Sequence, residues 1–337
     1  MQRVHRTDCS EPGIRRIRCG GGFRYADDRG KSVGPGVRAR IVELAIPPAW
    51  TEVWICPDRY GHIQATGYDA AGRKQYLYHE RWRALQSRKK FDQMIEFAGS
   101  LPKLRRRVRR DLRRRGLVQE RVLGCAIRLL DLGFLRIGTE QYARDNGTYG
   151  LATLKRGHVR IEGGAIVLDF KAKGEQRELR RIEDPLVLPT VRALKRRRGG
   201  GAGLLAYRQR PGSWCDVRSE HINAYLKTIT GDEFSAKCFR TWNATALAAV
   251  AVAGAEDGTP LGKSARERAI ARAVEQVASY LGNTPAVCRS SYIDPRVFDR
   301  FRDGETIHTA LEEGLHGDGG LPAERDAVEA AVLRLIG

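Results

Sequence analysis

The chain has 337 residues, with 60 Lys and Arg against 40 Asp and Glu and a formal net charge of +20. That length admits two domains, and 42% hydrophobic residues are enough to bury a sizeable core. The longest run of small apolar residues, 244–255, is too short for a bilayer span of roughly 20 residues, and the N-terminus has no apolar signal region. The expectation is therefore a cytoplasmic protein with no membrane association. No P-loop and no strand-linked G-x-G-x-x-G is present, so no nucleotide cofactor is expected.

Residues 14–84 are rich in glycine and aromatics and read as short strands between turns. Ala49–Cys56 alternates around Trp50 and Trp54; His62–Thr66 and Gly72–Tyr78 follow as further strands. Helical periodicity sets in over 84–135, where Leu123, Ile127, Leu130 and Leu135 mark an apolar face. Within it, Lys103–Arg115 repeats Leu104, Val108 and Leu112 every four residues, predicting a helix with a narrow apolar stripe and a basic exterior. Strands return at Leu151–Lys155, His158–Glu162, Ile166–Lys171 and Glu178–Ile182, with turns at Gly157, Gly163–Gly164 and Gly174. A second basic run, Lys195–Arg198, precedes GGGAG and reads as a loop. Helices dominate from Ser219 to Leu281, with Asn243–Ala255 expected to be the most buried, and Thr306–Gly337 is a helical tail interrupted by HGDGGLP.

The seven cysteines form no CxxC pair and none lies at finger spacing from histidine, which predicts free thiols and no metal site. The charge is overwhelmingly arginine, whose planar fork suits phosphate, so the expected partner is a polyanion with nucleic acid first. Five places carry candidate chemistry. Arg136 stands at the end of an apolar helix in a segment expected to continue into strand. Lys173 sits at a tight β-turn, and Arg240 starts an apolar helix. Asn283 lies in the turn LGNTP, and Tyr292 follows nine residues later. Taken singly, each has an ordinary structural explanation: a helix-end charge, a solvated turn, a packed ring.

Their order and local contexts resemble the type IB DNA topoisomerases, in particular the small poxvirus-like bacterial form. The likeness runs from about Ile14 to Pro295 and is carried by IPPAW, by GRKQY and by the spacing of LGNTP to Tyr292. The resemblance implies an α+β protein of the tyrosine recombinase/topoisomerase IB type: a small β-rich N-terminal domain, and a larger, mostly helical catalytic domain holding a small antiparallel sheet. Its implied boundaries are 1–83 for a DNA-clamping domain, 84–295 for the catalytic domain and 296–337 for the helical tail.

By position, the resemblance makes Tyr292 the nucleophile, Arg136 and Arg240 the catalytic arginines and Lys173 the general acid. Asn283 stands where viral and nuclear members carry histidine, and Ala172-Lys173-Gly174 departs from the family's G-K-D. It also implies DNA contacts at Arg73, Lys74, Gln75, Tyr76 and Tyr78 in the N-terminal domain, and at Gln141 and Tyr142 on a helix facing the major groove. The implied activity is relaxation of supercoiled duplex DNA, without ATP, metal or other cofactor, through a 3′-phosphotyrosyl intermediate. The implied enzyme is a monomeric, nucleoid-associated isomerase. Two alternatives stand beside it. A tyrosine recombinase uses similar chemistry but favours His where this chain has Lys237, three before Arg240. A non-enzymatic basic DNA-binding protein would explain the charge but not five motifs in order.

Overall fold

The computed structural model describes residues 3–210, 212–255, 261–315 and 320–337. The chain divides into two compact units, Met1–Lys90 and Phe91–Gly337.

In the first unit, β1 (Ile14–Cys19), β2 (Gly22–Ala26), α1 (Pro35–Glu43), β3 (Thr51–Ile55), β4 (Ile63–Tyr68) and β5 (Lys74–Tyr78) follow in order. The strands pair antiparallel as β2-β1-β3-β4-β5. Ile14, Val53, Ile55 and Ala65 meet Ile41 of α1 and Ile46 in a small core. Sequence periodicity missed α1, because Ile41 is its one buried residue and Val37 and Val42 face outward.

The second unit is mostly helical. Helix α2 (Glu80–Leu112) begins within the first unit and supplies Phe97, Leu101, Leu104 and Val108 to the core of the second. Its apolar stripe is as the spacing predicts, but the exterior is not purely basic. Arg105 turns inward and is buried against Asp131 and Glu329, because α3 (Gln119–Gly133) and the C-terminal helix present carboxylates there. Asp111 is likewise buried, gripped by Arg107, Arg114 and the Tyr225 hydroxyl.

After α3 comes α4 (Glu140–Asn146), so the segment beyond Arg136 leads into a helix and not into strand. Leu151–Thr153 is a 3-10 turn where a strand was predicted: Gly150 and the Thr153 hydroxyl close a local ring of hydrogen bonds. The other strands lie as predicted. They are β6 (Val159–Glu162), β7 (Ala165–Lys171) and β8 (Arg177–Ile182), an antiparallel sheet ordered β6-β7-β8. The run Lys195–Arg198 is not a loop throughout. Lys195 and Arg196 end α5 (Leu188–Arg196), and Arg197 is buried, donating to the carbonyls of Leu194, Leu204 and Gly201. A hairpin, β9 (Ala206–Arg210) with β10 (Ser213–Asp216), then leads into helices α6 (Ser219–Thr230), α7 (Lys237–Ala253) and α8 (Lys263–Leu281).

The chain closes with α9 (Pro285–Ser291), α10 (Pro295–Arg302), α11 (His308–Leu315) and α12 (Gly320–Ile336). Of the predicted HGDGGLP break, residues 316–319 lie outside the described residues and 320–322 open α12. Phe298 and Phe301 of α10, with Val332 and Ile336 of α12, are buried in the second unit's core. Glu329 of α12 pairs with Arg105 at 2.8 Å, and Arg325 reaches Asp131 at 2.8 Å. The protein is thus α+β, with antiparallel sheets of five, three and two strands among the described residues, flanked by helices. Among the described residues, no helix is long and apolar enough to cross a membrane.

Candidate active site

Helix α8 ends at Gly282, which takes the left-handed conformation (φ 59°) that a side chain would resist. The last carbonyls of a helix have no partner within it and carry the negative end of its dipole. Here three guanidiniums take three consecutive ones. Arg180 donates to the Tyr280 carbonyl, Arg240 to that of Leu281 at 2.7 Å, and Arg136 to that of Gly282 at 3.1 Å. Cations that would repel one another are thereby held side by side.

Each arginine arrives by a different route. Arg240 lies one turn inside α7, is buried, and also donates to the carbonyl of Phe134. Phe134 caps α3 at φ 54°, a left-handed conformation that costs a bulky residue about 1–2 kcal/mol. The reversal aims its carbonyl at Arg240 and sends the chain on to Arg136. Arg136 also donates to Asn283 Oδ1 at 2.7 Å. Since guanidinium only donates, that contact settles the amide's orientation and leaves Nδ2 as the remaining donor. Asn283 Nδ2 is buried and has no partner among the described residues.

Tyr292 follows the last turn of α9, which Thr284 caps by accepting from the Val287 amide. The Tyr292 amide donates to Cys288, and the Thr245 hydroxyl of α7 bridges the Tyr292 carbonyl and the Asp294 amide. The phenol ring is half-buried, with the Arg240 guanidinium 5.4 Å from its centroid. Burial and the neighbouring Arg136 pull the Arg240 pKa down to about 10, against the opposing pull of Tyr292, to which it hydrogen-bonds. At neutral pH Arg240 keeps its proton.

Arg136, Arg240, Asn283 and Tyr292 are therefore brought together. Lys173 is not in contact with them. It sits exposed at the tip of the β7–β8 hairpin, beside Gly174 at φ 77°, and makes no hydrogen bond or ion pair among the described residues. The hairpin approaches the site through its stem: Gln176 Oε1 and Glu178 Oε2 would lie 3.3 and 3.6 Å from a Cβ placed on Gly282. Sequence reading missed Gln176, Glu178 and Arg180. The strand alternates, with Glu178, Arg180 and the buried Ile182 on its sheltered face and Leu179 exposed on the other. Phe134, Gly150 and Thr245 were also missed, because their roles depend on contacts far along the chain.

The other predicted positions lie on two surfaces. On β5, Tyr76 and Tyr78 are exposed on one face with rings stacked 6.0 Å apart, and Lys74 lies 5.9 Å from the Tyr76 ring. Asp69 holds Arg73 at 2.8 Å and Gln75 at 2.9 Å. Gln141 and Tyr142 are exposed on α4, whose N-terminus is capped by Thr139. No group of three or more metal-ligating side chains is clustered among the described residues.

An α+β fold that sets a tyrosine beside paired guanidiniums and an unpaired amide donor defines a class: a site suited to nucleophilic attack on a phosphate ester. Residues 79–309 match the family model of the eukaryotic DNA topoisomerase I catalytic core, and residues 22–69 that of the bacterial DNA topoisomerase IB N-terminal domain. The chain is 32% identical over 285 residues to DNA topoisomerase 1B of Acanthamoeba polyphaga mimivirus, covering 83% of this chain and 85% of that one. To DNA topoisomerase 1 of Schizosaccharomyces pombe it is 30% identical over 159 residues, 47% of this chain and 18% of that one. The chain belongs to the type IB DNA topoisomerase family.

Proposed function

We propose that the protein relaxes supercoiled duplex DNA by cutting one strand through Tyr292 and resealing it, with no need for ATP or a metal ion. The observation that supports this most directly is the gathering of Arg136, Arg240 and Asn283 around Tyr292 at the end of α8. The Tyr292 oxygen attacks the scissile phosphorus and gives up its proton to solvent, leaving the protein on the 3′ phosphate. The bond from phosphorus to the 5′ oxygen breaks, and that oxygen takes a proton from Lys173. One phosphodiester is exchanged for another, so the step is nearly isoenergetic and reverses without an energy source.

A phenol, which titrates near ~10 in water, is a poor nucleophile at neutral pH. Arg136 and Arg240 stabilise the phenolate as it forms and the charge growing on the non-bridging oxygens, and Asn283 Nδ2 supplies a neutral donor to one of them. Lys173, on an exposed hairpin tip, reaches the leaving oxygen once DNA is bound, and in resealing acts as the base. The β-rich N-terminal unit serves as a clamp, with Arg73, Lys74, Gln75, Tyr76 and Tyr78 on the duplex. Gln141 and Tyr142 of α4 meet the major groove, and the enzyme acts as a monomer. The test is supercoiled plasmid in EDTA without ATP: wild type yields a ladder of topoisomers, and Tyr292→Phe yields neither ladder nor protein–DNA adduct while still binding. Full relaxation by Tyr292→Phe would overturn the assignment.

A further inference from the structure

The hairpin that carries Lys173 has little to hold its tip in place. Residues 173–177 are exposed, Gly174 and Glu175 are both left-handed, and the Lys171–Glu175 ion pair at 3.0 Å is solvent-facing. Exposed pairs of this kind contribute little rigidity. Proton delivery nevertheless needs the lysine placed to within a fraction of an ångström.

The stem is held differently. The Arg180 Nη2 reaches the Tyr280 carbonyl and Glu178 Oε1, the latter at 2.5 Å. Glu178 Oε2 faces Gly282, next to Arg136. Both side chains are largely shielded from solvent, and Arg180 Nε is buried without a partner among the described residues. The guanidinium is thus a strut fixed at its far end to two points: a carboxylate of its own strand and the end of α8. The next two carbonyls of that same turn hold Arg240 and Arg136. One helix end therefore sets the position of the hairpin and of both arginines.

We propose that Glu178 and Arg180 form a latch that registers the Lys173 hairpin against the arginine-holding turn. They are positioning residues for protonation of the leaving oxygen. The proposal rests on the reading of Lys173 as general acid. In the step it serves, the bond from Tyr292 to phosphorus forms, the bond to the 5′ oxygen breaks, and the Lys173 proton passes to that oxygen.

The test compares single-turnover cleavage of two duplexes that differ only in the bridging atom of the scissile phosphate, 5′ oxygen or 5′ sulfur. A thiolate leaves without a proton, so a defect confined to proton delivery disappears with sulfur. Arg180→Ala should slow the oxygen substrate by about 30-fold and the sulfur substrate by no more than about threefold. Arg180→Lys should recover part of the loss, and Glu178→Gln should show the same leaving-group pattern. Thermal melting establishes that each variant folds; if Arg180→Ala does not, the other two are judged by the same ratio. Equal slowing of both substrates, or no slowing of either, overturns the latch. Lys173→Ala separates the two readings. If it is itself insensitive to the leaving atom, the general-acid assignment fails; if it is sensitive and the Arg180 and Glu178 variants are not, only the latch does.

Discussion

Gly150 offers a sharp test of how the backbone positions Arg136. It packs against Gly138 so closely that an added Cβ would lie 2.5 Å from the Gly138 nitrogen, 2.6 Å from its Cα and 2.7 Å from the Arg136 carbonyl oxygen. Real side chains make ordinary contact at 3.4–4 Å, and all three neighbours are backbone. The two segments are also tied together, Leu151 N to Arg136 O at 2.9 Å and Ala152 N to Ile137 O at 2.7 Å. Gly150→Ala must therefore push the Arg136 segment back by roughly 1 Å, since nothing nearer can yield. The Gly150 φ of −143° suits any residue, so the perturbation is purely steric. Overpacking of this kind costs about 1–3 kcal/mol of stability. A misplacement of about 1 Å in a group that stabilises the transition state costs on the order of 100-fold in rate. Single-turnover formation of the covalent adduct measures this, with duplex affinity determined separately and expected to hold. Gly157→Ala is the control: a Cβ there meets nothing within 4 Å, so its rate should stay within about twofold of wild type. Wild-type cleavage by Gly150→Ala would refute the reasoning.

Other consequences concern the site, the core and the DNA surface. Asn283 cannot titrate, so it should add no step to the pH–rate profile between pH 5 and 8. Asn283→His should stay within about tenfold of wild type at pH 8 and gain a step on acidification, because an imidazolium cannot accept from Arg136. An inactive variant at pH 8 would count against the assigned role. Arg105→Leu leaves the buried Asp131 to Arg325 and Arg128 and Glu329 to Arg325 alone, so it should cost about 3 kcal/mol, the low end for breaking a buried pair, and lower the melting temperature by about 10 °C, while the salt dependence of DNA binding is unchanged. Burial alone would raise the Asp131 carboxyl, but Arg325, Arg105 and Arg128 outweigh it and hold it below its ordinary value. Because the folded-state value is the lower one, the stability it contributes is complete above about pH 4 and drains away as pH falls further. Denaturant midpoints between pH 6 and pH 3 should show that decline, less steeply in Asp131→Asn. Lys74→Ala should reduce the slope of log affinity against log salt by about 0.9, the value of one phosphate contact.

Much of this protein is legible along the chain. The strands around Gly163–Gly164 and Gly174, the apolar stripe of α2 and the turn at Asn283 follow from periods of two and 3.6 and from residues that tolerate tight turns. These are effects of neighbours, and neighbours are what a sequence displays. The five candidate residues were recognisable because each sits in a short local context. Other features belong to packing alone. Leu151–Thr153 became a 3-10 turn, and Arg105 turned inward because carboxylates from α3 and α12 were waiting there.

The same holds at the site. Arg136 meets Asn283 across 147 positions, Arg240 meets the Leu281 carbonyl across 41, and Arg180 meets that of Tyr280 across 100. No local periodicity encodes such encounters. The chain by itself determined which groups are candidates for the chemistry, while the end of one helix, with three carbonyls left over, decided where its arginines stand.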